Sequence, residues 1–110
     1  MKKNVANYSP RTVEAAELLG AQIRIGRLER RWTIRELAER VGVSVVTLRK
    51  IERGDPSVGL GVSFEAAALT GVPLFYEERS RLTTELGRAA DRLAVLPSRA
   101  RKPREIDDDF

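Results

Sequence analysis

The stretch LAERVGVSVVTLRKIERG, residues 37–54, leaves the chain little choice of fold. Gly42 stands only two residues before Ser44. A glycine after an apolar periodic run closes a helix by taking the left-handed backbone conformation. A serine at the head of the next run opens a helix by accepting a backbone N–H with its hydroxyl. Two helices joined by so short a link must pack against each other at a sharp turn. Val43 lies in the link and plugs the angle between them. Ala38 is small where the helices must approach closely. Leu48 and Ile51 continue the apolar stripe at helical spacing and pin the second helix to the body of the protein.

Similar punctuation organises the rest of the chain. Residues 1–8 read as a flexible arm. Ser9-Pro10 is a helix start, with Ser as cap and Pro in the first turn, and Thr12 is a rival cap. The first helix is expected to run to about Arg31, with Val13, Ala16, Leu19, Ile23 and Leu28 along one face and Gly20 as a place to bend or break. Thr33 and Glu36 fit a capping box, and Trp32 and Leu37 a hydrophobic staple, which sets a second helix over Ile34 to Val41. Ser44 opens the third, with Val43 and Leu48 as its staple, and Gly54 ends it. After the turn Asp55-Pro56-Ser57, Ser57 is expected to cap a fourth helix reaching about Thr70, with Gly59 and Gly61 weakening its start. Gly71-Val72-Pro73 stops that helix. A last one spans about Glu78 to Leu96, with Leu82, Leu86, Ala89, Leu93 and Leu96 at alternating steps of four and three. Pro97 ends it. The expected fold is all-α with five helices: an arm over 1–8, a helical domain over 9–75, a C-terminal helix over 76–97 and a flexible basic-then-acidic tail over 98–110.

Composition removes most catalytic chemistry. The chain has no cysteine and no histidine. Disulfides, thiolate metal sites, Ser-His and Cys-His catalysis and the usual zinc sites are thereby excluded. The acidic pair Glu77-Glu78 sits beside a helix start, where carboxylates favour the dipole rather than general acid–base work. Gly59-Leu60-Gly61 follows no strand and is no phosphate loop. No enzyme activity, metal or cofactor is expected. No apolar run approaches the roughly 18 residues of a membrane span, and the N-terminus lacks a signal peptide's apolar core. The expectation is a cytoplasmic protein with no membrane contact. Charge is unevenly placed: residues 1–56 hold 12 Lys/Arg against 7 Asp/Glu, and residues 57–110 hold 8 against 9. A basic first half suits an anionic partner such as nucleic acid, or simply a well-solvated surface.

A helix, a tight glycine turn and a second helix form the helix-turn-helix, which places the head of its second helix in the DNA major groove. With Leu48 and Ile51 turned inward, the third helix is expected to expose Ser44, Val45, Val46, Thr47, Arg49, Lys50 and Arg53. Together with Thr33, at the head of the preceding helix, these are the candidate DNA-contacting residues. Ser44 and Thr47 can bond phosphate through hydroxyls and helix-start amides. Arg49 and Lys50 are the candidate polar readers, since Arg can grip guanine through two hydrogen bonds. Valine makes no hydrogen bond to a base edge, but it packs against a thymine methyl. Val45 and Val46 therefore either face T-containing steps in the groove or, for one of them, tuck into the core.

The stretch TIRELAERVGVSVVTLRKIERGDPSVGLGVSFEAAALTGVPLF resembles the XRE-type, or phage-repressor-type, helix-turn-helix domain, through its LAxxxGVS core, its KIERG end and the Pro-Ser helix that follows. The resemblance covers about residues 18–75. It implies a five-helix, lambda-repressor-like domain, binding to a double-stranded DNA operator, and usually a homodimer. It also implies a salt bridge between Arg27 of the first helix and Glu52 at the end of the third. Where the family often carries glutamine or another polar residue, this chain has Ile34 and Val45-Val46. More narrowly, RKIERGDPSVGLG followed by an extra C-terminal segment resembles HipB-like antitoxins, which implies a HipA-like kinase toxin as partner. The leucine stripe of the last helix suits a dimer contact or packing on its own domain. The closing EIDDDF repels phosphate and suits a protein partner or a solvated tail.

Overall fold

The computed structural model describes residues 7–100 and residue 102. Its helices are α1 Pro10–Glu29, α2 Ile34–Val41, α3 Val45–Arg53, α4 Leu60–Leu69 and α5 Arg79–Val95. Among the described residues the only extended pairing is an isolated antiparallel bridge between Leu74 and Tyr76. The chain divides into two compact units that meet at Glu77 and Glu78, with α1 to α4 in the first and α5 in the second. Most of the expected arm and most of the expected tail lie outside the described residues.

Ser9 caps α1: its hydroxyl oxygen accepts the Thr12 N–H at 3.4 Å, and Pro10 is the first helical residue. Thr12 is a partner of the cap rather than a rival, its Oγ1 lying 3.1 Å from the Ser9 hydroxyl. The helix ends at Glu29, two residues short of the expected Arg31. It also runs unbroken through Gly20, against the expected bend. Gly20 serves a close approach instead. A Cβ there would stand 2.5 Å from the Ile51 carbonyl oxygen and 2.7 Å from that of Glu52, while one on Gly54 would stand 2.5 Å from the Glu17 Cα. These two glycines let the backbone of α1 touch the end of α3. The inner face of α1 is Gly20, Ile23, Gly26 and Arg27. Leu28, expected on that face, is 54% exposed. It follows Ile23 by five residues, which turns it about 140° around the helix.

The turn between α2 and α3 follows local chemistry. The Thr33 Oγ1 accepts the Glu36 N–H at 3.1 Å. The return bond of a full capping box, from the Thr33 N–H to the Glu36 carboxylate, is absent. Gly42 takes φ +86°, and the N–H groups of Gly42 and Val43 both donate to the Ala38 carbonyl, at 2.9 and 3.0 Å. Ser44 then caps α3, accepting the Thr47 N–H at 3.1 Å.

The start of α4 corrects the sequence reading. Ser57 does not cap it. The Ser57 N–H and hydroxyl both donate to Asp55 Oδ1, at 2.8 and 2.7 Å, which closes the turn after α3 and occupies the serine. The helix begins three residues later at Leu60, behind Gly59, with no side-chain cap.

The core comprises Ile23, Leu37, Ala38, Leu48, Ile51, Ala66, Ala67 and Val72, with Val43, Val45 and Trp32 packed against it. Each fully buried Leu or Ile contributes about 1.5–3 kcal/mol by leaving water. No residue of α5 is buried, and Leu86 and Leu93 are each 70% exposed.

Candidate nucleic-acid interface

The close approach of α1 to α3 sets Arg27 beside Glu52. Arg27 Nε donates to Glu52 Oε2 at 2.7 Å and Nη2 donates to Oε1 at 3.0 Å, a two-pronged ion pair. The side chains are only 10% and 7% exposed. The remaining prong, Nη1, donates to the Trp32 carbonyl at 3.0 Å. One guanidinium thus ties the end of α3 to α1 and to the link that leads into α2. No buried side-chain nitrogen or oxygen among the described residues lacks a partner.

Trp32 itself is half-buried. The guanidinium of Arg40 lies 4.2 Å from its ring centroid and that of Arg30 lies 5.8 Å away, both within cation–π range. The ring is therefore part of the packed body and already holds two cations.

Beside the Arg27–Glu52 pair lies an open cleft of about 400 Å³, lined by Arg24, Arg27, Ile34, Arg49, Glu52 and Arg53. Arg24, Arg49 and Arg53 make no ion pair among the described residues. Since Arg27 and Glu52 neutralise each other, these three guanidiniums leave the cleft rim positive. Arg24 was missed in the sequence. Its signal was its place three residues before Arg27, hence on a neighbouring face of the same helix. Ile34 lines the cleft with a half-buried side chain where a polar residue was the family habit.

The head of α3 divides the candidate residues. Ser44 and Arg49 are exposed, as is Arg53 at the other end, and Val46 is 63% exposed. Val45, expected to be exposed, is half-buried and packs against the core. Three residues before Leu48, it falls on the inward side, while Val46 is turned a further 100° or so outward. The pair of valines is therefore one inward anchor and one surface residue. Thr47 and Lys50, also expected to be exposed, are half-buried. Thr33 is exposed at the head of α2. Ala38 is buried in the core, and the exposed Gly42 makes the turn.

Asp55 lies just past α3. The hydrogen bonds from the Ser57 hydroxyl and N–H, aided by the charges of Lys50 and Arg53, hold its carboxyl below the usual carboxylate range. It is thus a fixed anion that offsets part of the positive charge at the end of α3.

Two short helices at a glycine turn, the second with its head exposed beside a cationic cleft, define a helix-turn-helix domain of the DNA-binding class. Residues 23–76 match the family model described as Helix-turn-helix, a family of DNA-binding domains. The matched span opens at the buried Ile23 of α1 and takes in α2, α3 and α4, the elements of the XRE-type resemblance. The match points to a DNA-binding transcription regulator. No curated protein and no solved structure matches the chain. No helix among the described residues is long and apolar enough to cross a membrane.

Proposed function

We propose that the chain is a sequence-specific, cytoplasmic transcription regulator that binds an operator as a homodimer and represses its own promoter by blocking polymerase. The observation that carries this reading is the exposed head of α3, with Val46 and Arg49 on its surface, beside a cleft whose Arg24, Arg49 and Arg53 make no ion pair among the described residues. In this reading Arg49 and Lys50 contact base edges and Val46 packs on a thymine methyl. Val45 sets the depth of the helix from within. Ser44, Thr47 and Thr33 lie at helix heads, where hydroxyls and N–H groups suit phosphate oxygens. Arg24 and Arg53 add charge-assisted phosphate contacts. No chemistry is performed and no cofactor takes part; bound protein simply occupies the promoter.

The test is a footprint on the DNA upstream of the gene. Two protected half-sites about 34 Å apart, or a multiple of that, are expected from a dimeric reader. Equal affinity for this DNA and for unrelated DNA of the same length would sink the reading.

An antitoxin role joins this reading on the likeness of RKIERGDPSVGLG and the added C-terminal segment to HipB-like regulators. A neighbouring gene for a HipA-like kinase, and co-purification of its product, would support it. An isolated gene favours a plain repressor. The EIDDDF segment, read as the site for that partner, lies outside the described residues.

A further inference from the structure

Helix α5 carries an apolar seam but buries none of its residues. Leu82, Leu86, Ala89, Leu93 and Leu96 follow the four-and-three alternation of a coiled-coil heptad. Leu86 and Leu93 take its a positions, and Leu82 and Ala89 its d positions, while Leu96, next in the pattern, is the extended C-cap beyond Val95. Glu85 and Arg92 then occupy g, while the e positions within the helix hold Thr83 and Ala90. Charge therefore flanks the seam on one side only, with one residue of each sign inside the helix and Glu78, its N-cap, at the preceding g position. Glu85 reaches Arg81 at 3.3 Å and Arg88 at 2.9 Å within its own helix. Arg92 makes no ion pair among the described residues.

We propose that this seam is covered by α5 of a second copy running antiparallel, with Glu85 of each copy against Arg92 of the other. The inference rests on the homodimer reading and specifies its contact. A parallel pair sets g against e, so Glu85 would meet Ala90 and Arg92 would meet Pro97, with no ion pair formed. An antiparallel pair sets g against g. Of its three registers that keep leucines in the seam, one places Glu85 against Glu85, sets the N-cap Glu78 against Arg92 and stacks only two leucine layers, and another places Arg92 against Arg92. The second of these stacks four apolar layers only by drawing in Leu96, the extended C-cap beyond the helix. The remaining register pairs Glu85 with Arg92 twice, related by the two-fold axis. It stacks Leu82 on Leu93 and Leu86 on Ala89, each layer repeated by symmetry. Like charges at a contact repel, and these charges select the register.

Sedimentation equilibrium of the full chain tests the inference. Glu85→Arg and Arg92→Glu each set like charges at both symmetric contacts, and each is expected to weaken the dimer on the order of tenfold. The exchanged double variant restores it. Glu85→Arg also breaks two ion pairs within the helix, whereas Arg92→Glu breaks none among the described residues, so agreement between the two variants separates the contact from effects within the helix. A cross-link gives an independent measure, because the chain has no cysteine of its own. Leu82→Cys and Leu93→Cys chains, mixed and oxidised, are expected to form a disulfide-linked heterodimer. Neither cross-links alone, since like positions stand eleven residues apart along the pair, about 16 Å and beyond disulfide reach. Cross-linking of each variant with itself would show a parallel pair and overturn the arrangement. A dimer indifferent to both reversals, with no mixed cross-link, places the interface elsewhere, so this inference fails while the homodimer reading stands. A chain that stays monomeric at every concentration, free and on DNA, overturns both.

Discussion

Arg27 and Glu52 show how much one pair can decide. Both are nearly buried, and Arg27 spends its three prongs on Glu52 and the Trp32 carbonyl. Removing either partner strands the other's charge away from water, so Arg27→Ala or Glu52→Ala is expected to cost about 3–5 kcal/mol. In a double-mutant cycle by urea unfolding the two losses are strongly non-additive; additive losses would mean no coupling. Arg49 differs, since it is exposed on α3, with the half-buried Lys50 beside it. Arg49→Ala and Lys50→Ala are expected to weaken operator binding by about 1–3 kcal/mol each, with little change in melting temperature. Unchanged operator affinity in both would mean that the recognition surface lies elsewhere. Asp55 supplies a pH signature. Its folded pKa is depressed, so its contribution to stability is complete above the unfolded pKa of about 3.9 and is lost as pH falls through the folded value. The melting difference between the native chain and Asp55→Asn is thus expected to be constant near neutrality and to shrink below about pH 4.

At the scale of elements, glycines with the same sequence appearance have opposite roles. Gly20 is buried where α1 meets the end of α3, and a methyl there would run into three backbone atoms within 3 Å. Gly87 lies in α5 with nothing within 4 Å of where its Cβ would stand. Gly87→Ala is expected to stabilise α5 by up to about 1 kcal/mol, through helix propensity alone. Gly20→Ala is expected to destabilise by more than that, because backbone cannot yield as a flexible side chain does. It also pushes α3 away from α1, so it lowers DNA affinity as well as melting temperature. Helicity by circular dichroism and thermal melts of both variants check the opposite signs.

For the whole molecule the deciding quantity is where the charge lies. The N-terminal 56 residues carry the basic excess, and they include α1, α2 and α3. A dimer that brings two such faces to one duplex neutralises about six phosphates or more. Its affinity is then expected to fall on the order of a thousandfold between 50 and 200 mM salt. A salt titration by fluorescence anisotropy measures the slope, and a flat one would remove the electrostatic basis of binding.

The helices from α1 to α3 were legible because their signals are local. Ser9, Thr33 and Ser44 cap with their own hydroxyls, Gly42 and Gly54 close with positive φ, and each such choice depends on neighbours a few residues away. The same locality put Leu48 and Ile51 in the core. The errors fell where a distant residue decides. Ser57 looked like a cap until Asp55 took its hydroxyl. Gly20 looked like a break because α3, thirty residues on, is invisible to periodicity. Val45 and Val46 read as a pair, and only the packed core separated an inward anchor from an exposed surface residue. Arg24 joined the cleft only when α1 and α3 came together. The order and the starts of the first three helices could be read from residues alone, since hydrogen bonds within a turn choose those. Tertiary structure alone decided which side chains share a surface, since that depends on how closely two backbones can approach.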